Sequence, residues 1–185
     1  MNIPNKLTVL RVILVPIFMA LYLIPSHVAF SIFSFEVTYG RLLAVIIFIL
    51  ASVTDWADGH IARKNGLVTN FGKFMDPLAD KLLITGALCC LLSDGTVNAV
   101  IVMIIFAREF IVTGLRLVAA SEGIVIAAGM LGKIKTTIQM ITVIAAVIFG
   151  KNLAVDILFW ISAFITALSG VQYIIDNRKV FKDQG

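Results

Sequence analysis

Long apolar runs recur along the whole 185-residue chain and limit what it can fold into. A helix needs about 20 predominantly apolar residues to cross the roughly 30 Å hydrocarbon core of a bilayer. With 60% hydrophobic and only 14% charged residues, the composition lies far outside that of soluble domains. The sequence therefore predicts an all-α, polytopic integral membrane protein whose single domain covers residues 1–185. Its six predicted transmembrane helices lie near residues 7–24, 41–63, 76–93, 97–119, 131–149 and 153–175.

Basic residues set the predicted orientation. With both termini in the cytoplasm, most lysines and arginines near the ends of spans fall inside, and only Arg41 and Lys151 fall outside. This asymmetry predicts a multi-pass protein of the cell membrane. The net charge of +4 is then explained by topology and by attraction to anionic lipid headgroups, so nucleic acid is not an expected partner. The segment at 25–40 is expected to be interfacial and extracytoplasmic.

Four aspartates lie close together within residues 55–80, DWADGHIARKNGLVTNFGKFMDPLAD. On helices, Asp55 and Asp58 project within about 60° of each other, and Asp76 and Asp80 within about 40°. A charge at mid-bilayer costs on the order of 3 kcal/mol, so four carboxylates need compensation. Each pair is therefore expected to lie on one face of its helix, next to a group that compensates its charge.

The connection between the two pairs predicts where they lie. Pro77 directly after Asp76 suits the first turn of a helix, with Asp76 as the N-cap. Asp55 lies about nine residues, or roughly 13 Å of helical rise, before a predicted cytoplasmic loop at 64–75. We therefore expect both pairs just below the cytoplasmic membrane surface, on antiparallel neighbouring helices.

Carboxylates that converge without a nearby His or Cys are typical ligands of Mg²⁺ or Mn²⁺. Four carboxylates carry more negative charge than one divalent ion balances, so the sequence predicts two divalent cations. Such a pair of cations mainly serves phosphoryl chemistry. Gly59, Ala62 and Gly72 leave the surface beside the acids nearly bare, which makes room for a ligand. At the boundary of water and lipid, such a site suits a substrate with a phosphorylated head and acyl tails.

Two other interpretations of the aspartates stay open. The acids could form stabilising ion pairs with Arg63, Lys73 and Lys81, although pairing leaves the small residues at fixed spacing unexplained. They could also line an ion or proton pathway, although acids confined to one leaflet make a poor conduit. The corresponding alternative function is a non-enzymatic divalent-cation transporter or scaffold.

These residues combine into one spaced pattern, in which eight residues separate two blocks: Asp55-x-x-Asp58-Gly59-x-x-Ala62-Arg63 and Gly72-x-x-x-Asp76-x-x-x-Asp80. The pattern resembles the signature of the CDP-alcohol phosphatidyltransferases, with every position filled. The opening segment NIPNKLTVLR is also similar to the start of bacterial members. The resemblance implies that an alcohol displaces CMP from a CDP-linked lipid, and it implies a homodimer.

The resemblance also implies a role for each residue of the pattern. Asp55, Asp58 and Asp76 would hold the two metal ions, while Asp80 would complete the metal site and act as general base on the attacking hydroxyl. Arg63 would contact the diphosphate. The residues expected at the cytidine nucleotide are Asp58, Gly59, Ala62, Arg63 and Gly72.

Basic residues of the fourth and fifth spans indicate which alcohol attacks. The segments AREFIVTGLR (107–116) and GKIKT (132–136) resemble those of family members whose acceptor is glycerol 3-phosphate. Arg108 and Arg116 share one face of a helix, and a phosphate-bearing acceptor needs such guanidinium groups. Because Lys133 and Lys135 lie about 200° apart on a helix, Lys135 alone is favoured as an additional phosphate ligand.

The basic residues also have structural explanations. Lys133 and Lys135 could simply anchor a helix end at the cytoplasmic surface. Arg108 lies near mid-span and needs a partner, for which Glu109, Glu122 and the substrate are candidates; Glu109 is expected mainly to orient the arginines.

Taken with the resemblance, the sequence predicts a transferase of anionic phospholipid synthesis. It would move the phosphatidyl group of CDP-diacylglycerol to glycerol 3-phosphate and give phosphatidylglycerophosphate and CMP. The nearest alternative is the same chemistry with serine, an inositol phosphate or phosphatidylglycerol as acceptor. In the sixth span, Ser162, Thr166 and Gly170 form a stripe of small residues that permits close helix packing.

Overall fold

The computed structural model of the chain describes residues 3–32, 35–65, 70–121, 126 and 129–178. Helices dominate this part of the chain, which confirms the predicted helical class. The six helices are α1 (Ile3–Leu23), α2 (Tyr39–Asn65), α3 (Asn70–Ser93), α4 (Ala99–Ser121), α5 (Met130–Phe149) and α6 (Leu153–Asp176). The predicted interfacial segment contains an antiparallel hairpin that the sequence did not predict, formed by β1 (Val28–Ile32) and β2 (Phe35–Thr38).

Among the described helices, α5 and α6 are long and apolar enough to cross a membrane. Three other helices carry shorter apolar stretches, Thr8–Leu23, Tyr39–Thr54 and Lys81–Ser93. In α2 and α3 the apolar stretch is short because the remaining part of each helix carries the aspartate pattern. The six-span count and the cytoplasmic termini stay predictions.

The start of α3 corrects one prediction. The helix begins at Asn70, well before Asp76, so the predicted N-cap at Asp76 is wrong and the predicted loop at 64–75 is shorter than expected. Pro77 lies inside the helix, where its missing N–H removes one backbone hydrogen bond at a cost of about 3 kcal/mol. A long helix in tertiary contact tolerates this cost, and α1 likewise contains Pro16.

The chain divides into two compact units. The first unit comprises Met1–Thr96 and Val143–Lys151, and the second comprises Val97–Thr142 and Asn152–Gly185. The first unit thus holds α1 to α3, the hairpin and the last part of α5, whereas the second holds α4, most of α5 and α6. The prediction of one domain over residues 1–185 stays a prediction.

In the first unit, α1 packs against both α2 and α3. The ring of Phe18 lies 5.9 Å from that of Phe48, centroid to centroid, and both side chains are fully buried. Burial of such a side chain contributes about 1.5 to 3 kcal/mol. Gly86 brings α3 close to α1, because a Cβ atom there would lie only 3.0 Å from Val15 Cγ1.

One carboxylate ties together the end of this unit that carries the hairpin. Asp94 Oδ2 accepts hydrogen bonds from Tyr22 Oη at 2.5 Å and from Arg41 Nη2 at 2.7 Å. The Arg41 guanidinium also lies over the rings of Tyr22 and Phe35, at 4.7 and 4.8 Å from their centroids. Phe35 in turn packs closely against Gly150, whose φ of +60° favours glycine. Arg41, a basic residue predicted to lie outside, therefore has a structural role.

The ionisation of Asp94, which lies in the turn after α3, should make stability depend on pH. Partial burial raises the pKa of this carboxyl, but hydrogen bonds from Thr96 and Tyr22 and the charge of Arg41 outweigh that effect and hold the pKa below its ordinary value. The stabilisation is therefore complete above the ordinary pKa of about 4 and is lost as the pH falls through the folded-state pKa. Asp94→Asn should lower the free energy of unfolding by about 1 kcal/mol at pH 7.

Thermal unfolding of the detergent-solubilised protein between pH 7 and pH 3 measures this effect. The difference in melting temperature between wild type and Asp94→Asn should shrink as the pH approaches 3. Glu36→Gln, which removes an exposed carboxylate of the same unit, provides the matched control and should keep the wild-type pH profile. A constant difference between wild type and Asp94→Asn across this range would contradict the assignment.

Candidate functional site

The four aspartates of the pattern lie in two helices. Asp55 and Asp58 belong to α2, and Asp76 and Asp80 belong to α3. The backbone is helical through both pairs, so their spacing places each pair on one face of its helix. The four side chains lie outside the described part of the structure, and so do the side chains of Ala62 and Arg63 and the surroundings of Gly59 and Gly72.

The two pairs lie at similar distances from the connection between α2 and α3. Asp55 precedes the end of α2 at Asn65 by about 10 residues, and Asp80 follows the start of α3 at Asn70 by about 10 residues, or roughly 15 Å of helical rise in each case. The two helices contact each other, and a short connection makes them run antiparallel. This spacing predicts that the two pairs lie at the same level, with Asp76 inside α3 rather than at its N-cap.

The described side chains contain no cluster of three or more His, Cys, Asp or Glu residues that could hold a metal ion. The side chains of the four aspartates are not among the described ones. The metal-binding role of Asp55, Asp58, Asp76 and Asp80 thus stays a prediction that rests on residue type and on the helical backbone.

Arg108 is held in the second unit by contacts on several sides. Its Nε donates to Ser169 Oγ at 3.1 Å, and its Nη1 lies 3.3 Å from Glu109 Oε1. Its stem lies against Gly170, where a Cβ atom would be 3.0 Å from Arg108 Cγ, and its Nη2 lies near Gly132. Of the partners considered for this mid-span cation, Glu109 is confirmed. Gly170 makes the room that the stem of the arginine needs.

The two lysines of α5 have different environments. Lys135 is only 5% exposed and its Nζ contacts Glu109 Oε1, whereas Lys133 is exposed. This difference agrees with their separation of about 200° around the helix. Glu109 thus contacts two cations, Lys135 and Arg108, as expected for charged groups removed from water. Contact of either lysine with an acceptor phosphate stays a prediction.

Arg116 is oriented by an aromatic residue of α6. Its Nε donates to Tyr173 Oη at 3.1 Å, and its guanidinium lies 5.5 Å from the centroid of the Tyr173 ring. Tyr173 is buried in an apolar cluster with Val112 and Leu115, against which Ile126 packs. The tyrosine therefore presents a fixed hydroxyl to the more exposed arginine.

Comparison with known proteins identifies the family. The model of the CDP-alcohol phosphatidyltransferase family matches residues 1–168, a range that includes both aspartate pairs and all the basic residues described above. The chain belongs to this family. The resemblance drawn from the aspartate pattern is therefore confirmed at the level of the family.

Several relatives are similar to this chain over nearly their whole length. A protein of Bacillus subtilis strain 168 is 45% identical, with 98% of this chain and 97% of the relative covered. Relatives from Rickettsia bellii and Escherichia coli K12 are 37% and 35% identical, with at least 97% of both chains covered in each comparison. All three carry the name CDP-diacylglycerol–glycerol-3-phosphate 3-phosphatidyltransferase.

Two residues that contact the arginines, Ser169 and Tyr173, were not predicted from the sequence. Both are buried on α6, where the stripe of Ser162, Thr166 and Gly170 was interpreted only as a packing surface. Hydroxyls at i and i+4 beside such a stripe are the one signal that could have marked them. The sequence could not reveal their arginine partners, because it does not show that α6 packs against α4.

The contact between Glu109 and Lys135 predicts a difference between the two lysines of α5. Lys135→Met should lower the free energy of unfolding by about 3 kcal/mol, because it leaves a partly buried carboxylate without this cation. Lys133→Met is the matched control on the same helix and should change the free energy by no more than about 0.5 kcal/mol. Denaturation in detergent measures both values.

A double-mutant cycle then tests the contact itself. Glu109→Gln combined with Lys135→Met should destabilise the protein by about 1 to 3 kcal/mol less than the sum of the single changes. Additive effects, or equal effects of the two lysine variants, would show that the contact does not stabilise the second unit.

Proposed function

We propose that this protein transfers the phosphatidyl group of CDP-diacylglycerol to glycerol 3-phosphate, giving phosphatidylglycerophosphate and CMP in anionic phospholipid synthesis. The observation that carries the proposal is the full-length similarity, at 35% to 45% identity, to relatives that bear the name of this activity. The arginines of α4 and the lysines of α5 agree with it, because a phosphorylated acceptor needs cationic donors.

The residues of the acidic pattern fit two divalent cations, Mg²⁺ or Mn²⁺. The donor set consists of hard carboxylate oxygens, carried as two pairs at similar distances from the connection between two contacting helices. We assign Asp55, Asp58 and Asp76 as ligands, with Asp80 completing the site. When bound, a pair of such cations neutralises the diphosphate and makes its phosphorus easier to attack.

The displacement itself needs one proton to be removed. One of the two free hydroxyls of glycerol 3-phosphate attacks the phosphorus that carries diacylglycerol, a new P–O bond forms, and the P–O bond to CMP breaks. Asp80 accepts the hydroxyl proton during this attack, which makes it the catalytic residue of the proposal. The proton is then released to water, so the overall products are phosphatidylglycerophosphate, CMP and a proton.

The residues around the aspartates would bind the nucleotide. Gly59, Ala62 and Gly72 have little or no side chain, so the cytidine can approach the helix backbone closely. Arg63 would grip two oxygens of the diphosphate with its planar guanidinium, and Asp58 would border the nucleotide as well as the metals. These assignments follow the family signature position by position.

The acceptor phosphate is assigned to the basic residues of the second unit. Arg108 and Arg116 would bind it with their guanidinium groups, with Lys135 as the favoured lysine and Lys133 as the exposed alternative. Glu109 contacts Arg108 and Lys135 and would keep both cations in place. Serine and phosphatidylglycerol lack a free phosphomonoester, so they would offer these cations no phosphate of this kind to bind.

The apolar surface supports a multi-pass protein of the cell membrane. Large apolar side chains on α6, including Trp160, Phe164 and Val171, are more than half exposed, as expected for a helix that contacts lipid. We propose six spans with both termini and the active site on the cytoplasmic side, where a water-soluble acceptor and CMP can exchange. The homodimer implied by the family remains part of the proposal.

The proposal predicts which acceptor supports CMP release. Purified protein with CDP-diacylglycerol and Mg²⁺ should release CMP with glycerol 3-phosphate, and not with serine, inositol 1-phosphate or phosphatidylglycerol. EDTA should abolish the release, and added Mg²⁺ or Mn²⁺ should restore it. Asp58→Asn should lower turnover at least about 100-fold while the protein stays folded in the membrane. Asp156→Asn, which changes an aspartate of α6 outside the proposed site, is the control and should stay active.

Each alternative outcome has its own meaning. Release with serine or phosphatidylglycerol would keep the aspartate assignment and overturn the assignment of the arginines. Release with inositol 1-phosphate would keep both assignments and overturn only the identity of the acceptor. Full activity of a folded Asp58→Asn protein would overturn the two-metal site. No release with any acceptor, combined with Mg²⁺ flux into proteoliposomes, would favour the divalent-cation transporter instead.

A further inference from the structure

Helices α4 and α6 pack against each other in the second unit, and two hydrophilic contacts connect them. Arg108 donates a hydrogen bond to Ser169, and Arg116 donates one to Tyr173. The contacts therefore follow the same order along both helices, which means that the helices run parallel. Ser169 and Tyr173 are four residues apart, which places them on one face of α6, one turn after the other.

Both contacts engage the same atom of the arginine. Each hydroxyl accepts the Nε–H, with a distance of 3.1 Å from nitrogen to oxygen in both cases. A bond at Nε fixes the rotation of the planar guanidinium and directs its opposite edge, formed by Nη1 and Nη2, away from the hydroxyl. That edge can bind phosphate oxygens. In Arg108 the Nη1 of this edge also lies 3.3 Å from Glu109 Oε1, so Nη2 is the nitrogen of that edge without this contact.

The two hydroxyls are themselves fixed. Ser169 is 4% exposed and donates to the carbonyl oxygen of Thr166 at 2.9 Å, which leaves its lone pairs for Arg108. Tyr173 is 6% exposed, and its ring is held among Val112 and Leu115. Both acceptors therefore have one orientation before any ligand arrives.

We propose that Ser169 and Tyr173 are positioning residues that orient Arg108 and Arg116 toward the phosphate of the acceptor. The inference rests on the proposed function. An arginine side chain loses rotamer freedom when it binds a ligand, and a hydroxyl that holds the guanidinium beforehand reduces this loss on binding. The benefit appears in the affinity for the acceptor rather than in the chemical step.

Tyr173→Phe tests this role, since it removes the hydroxyl and keeps the ring. The KM for glycerol 3-phosphate should rise about three- to tenfold, while kcat and the KM for CDP-diacylglycerol change less than about twofold. The melting temperature should stay within about 2 °C of wild type. Tyr39→Phe removes the hydroxyl of an exposed tyrosine at the start of α2 and is the matched control, which should match wild type in all these quantities.

A double-mutant cycle shows whether Tyr173 acts through its arginine. In an Arg116→Gln background, Tyr173→Phe should raise the KM for glycerol 3-phosphate no further, because the group to be oriented is gone. Ser169→Ala with Arg108→Gln forms the second, independent cycle and covers the case that Tyr173→Phe does not fold. A purely structural role would instead lower the melting temperature and change both KM values, with or without the arginine.

The outcomes separate this inference from the proposed function. If wild type does not use glycerol 3-phosphate, the proposed function is wrong and the inference fails with it. If wild type uses glycerol 3-phosphate and both hydroxyl variants keep its KM, or if the effects persist in the arginine variants, only the inference is overturned.

Discussion

The second unit depends on the ion pairs that the Glu109 carboxylate forms. It contacts Lys135 and Arg108, two cations that helices of this apolar character cannot bury without a partner. The glycine at 170 then gives the stem of the arginine the space to reach its partners. Charge compensation and small residues thus solve one problem together, because the cation needs both a counter-charge and a cavity.

The same principle organises the hairpin end of the first unit with different chemistry. Asp94 accepts from Tyr22 and Arg41, and aromatic rings cover the guanidinium. This carboxylate lies in a turn outside the helices. It compensates a single cation and connects the hairpin to the ends of α1 and α3. In both units a charged group that would be costly alone becomes the point where several elements are joined.

The proposed chemistry uses charge in two ways. Carboxylates on α2 and α3 suit metal cations that accompany a diphosphate, whereas guanidinium groups on α4 suit a phosphomonoester directly. Hydroxyls on α6 add orientation without adding charge. This is advantageous in an apolar environment, because each additional ion would need a further partner.

The sequence by itself determined the helical class, the family and the acidic pattern. The length and hydropathy of the apolar runs can be read from local residue order. Residue type and spacing likewise identify the acidic pattern, which contains Asp55, Asp58, Asp76 and Asp80. The sequence also predicted that Arg108, a mid-span cation, needs a partner, with Glu109, Glu122 and the substrate as candidates; the structure shows the contact with Glu109.

Only the tertiary structure decided what depends on contacts between distant segments. Pro77 looked like a helix start because local preference favours it there, yet α3 begins at Asn70. The hairpin was not predicted, since it depends on pairing between two short strands and on Phe35 packing against Gly150. Ser169 and Tyr173 gained their importance from α4, which lies about 60 residues earlier in the sequence. Hydrophobic patterning shows that a helix packs, but the choice of partner depends on how side chains fit across the interface.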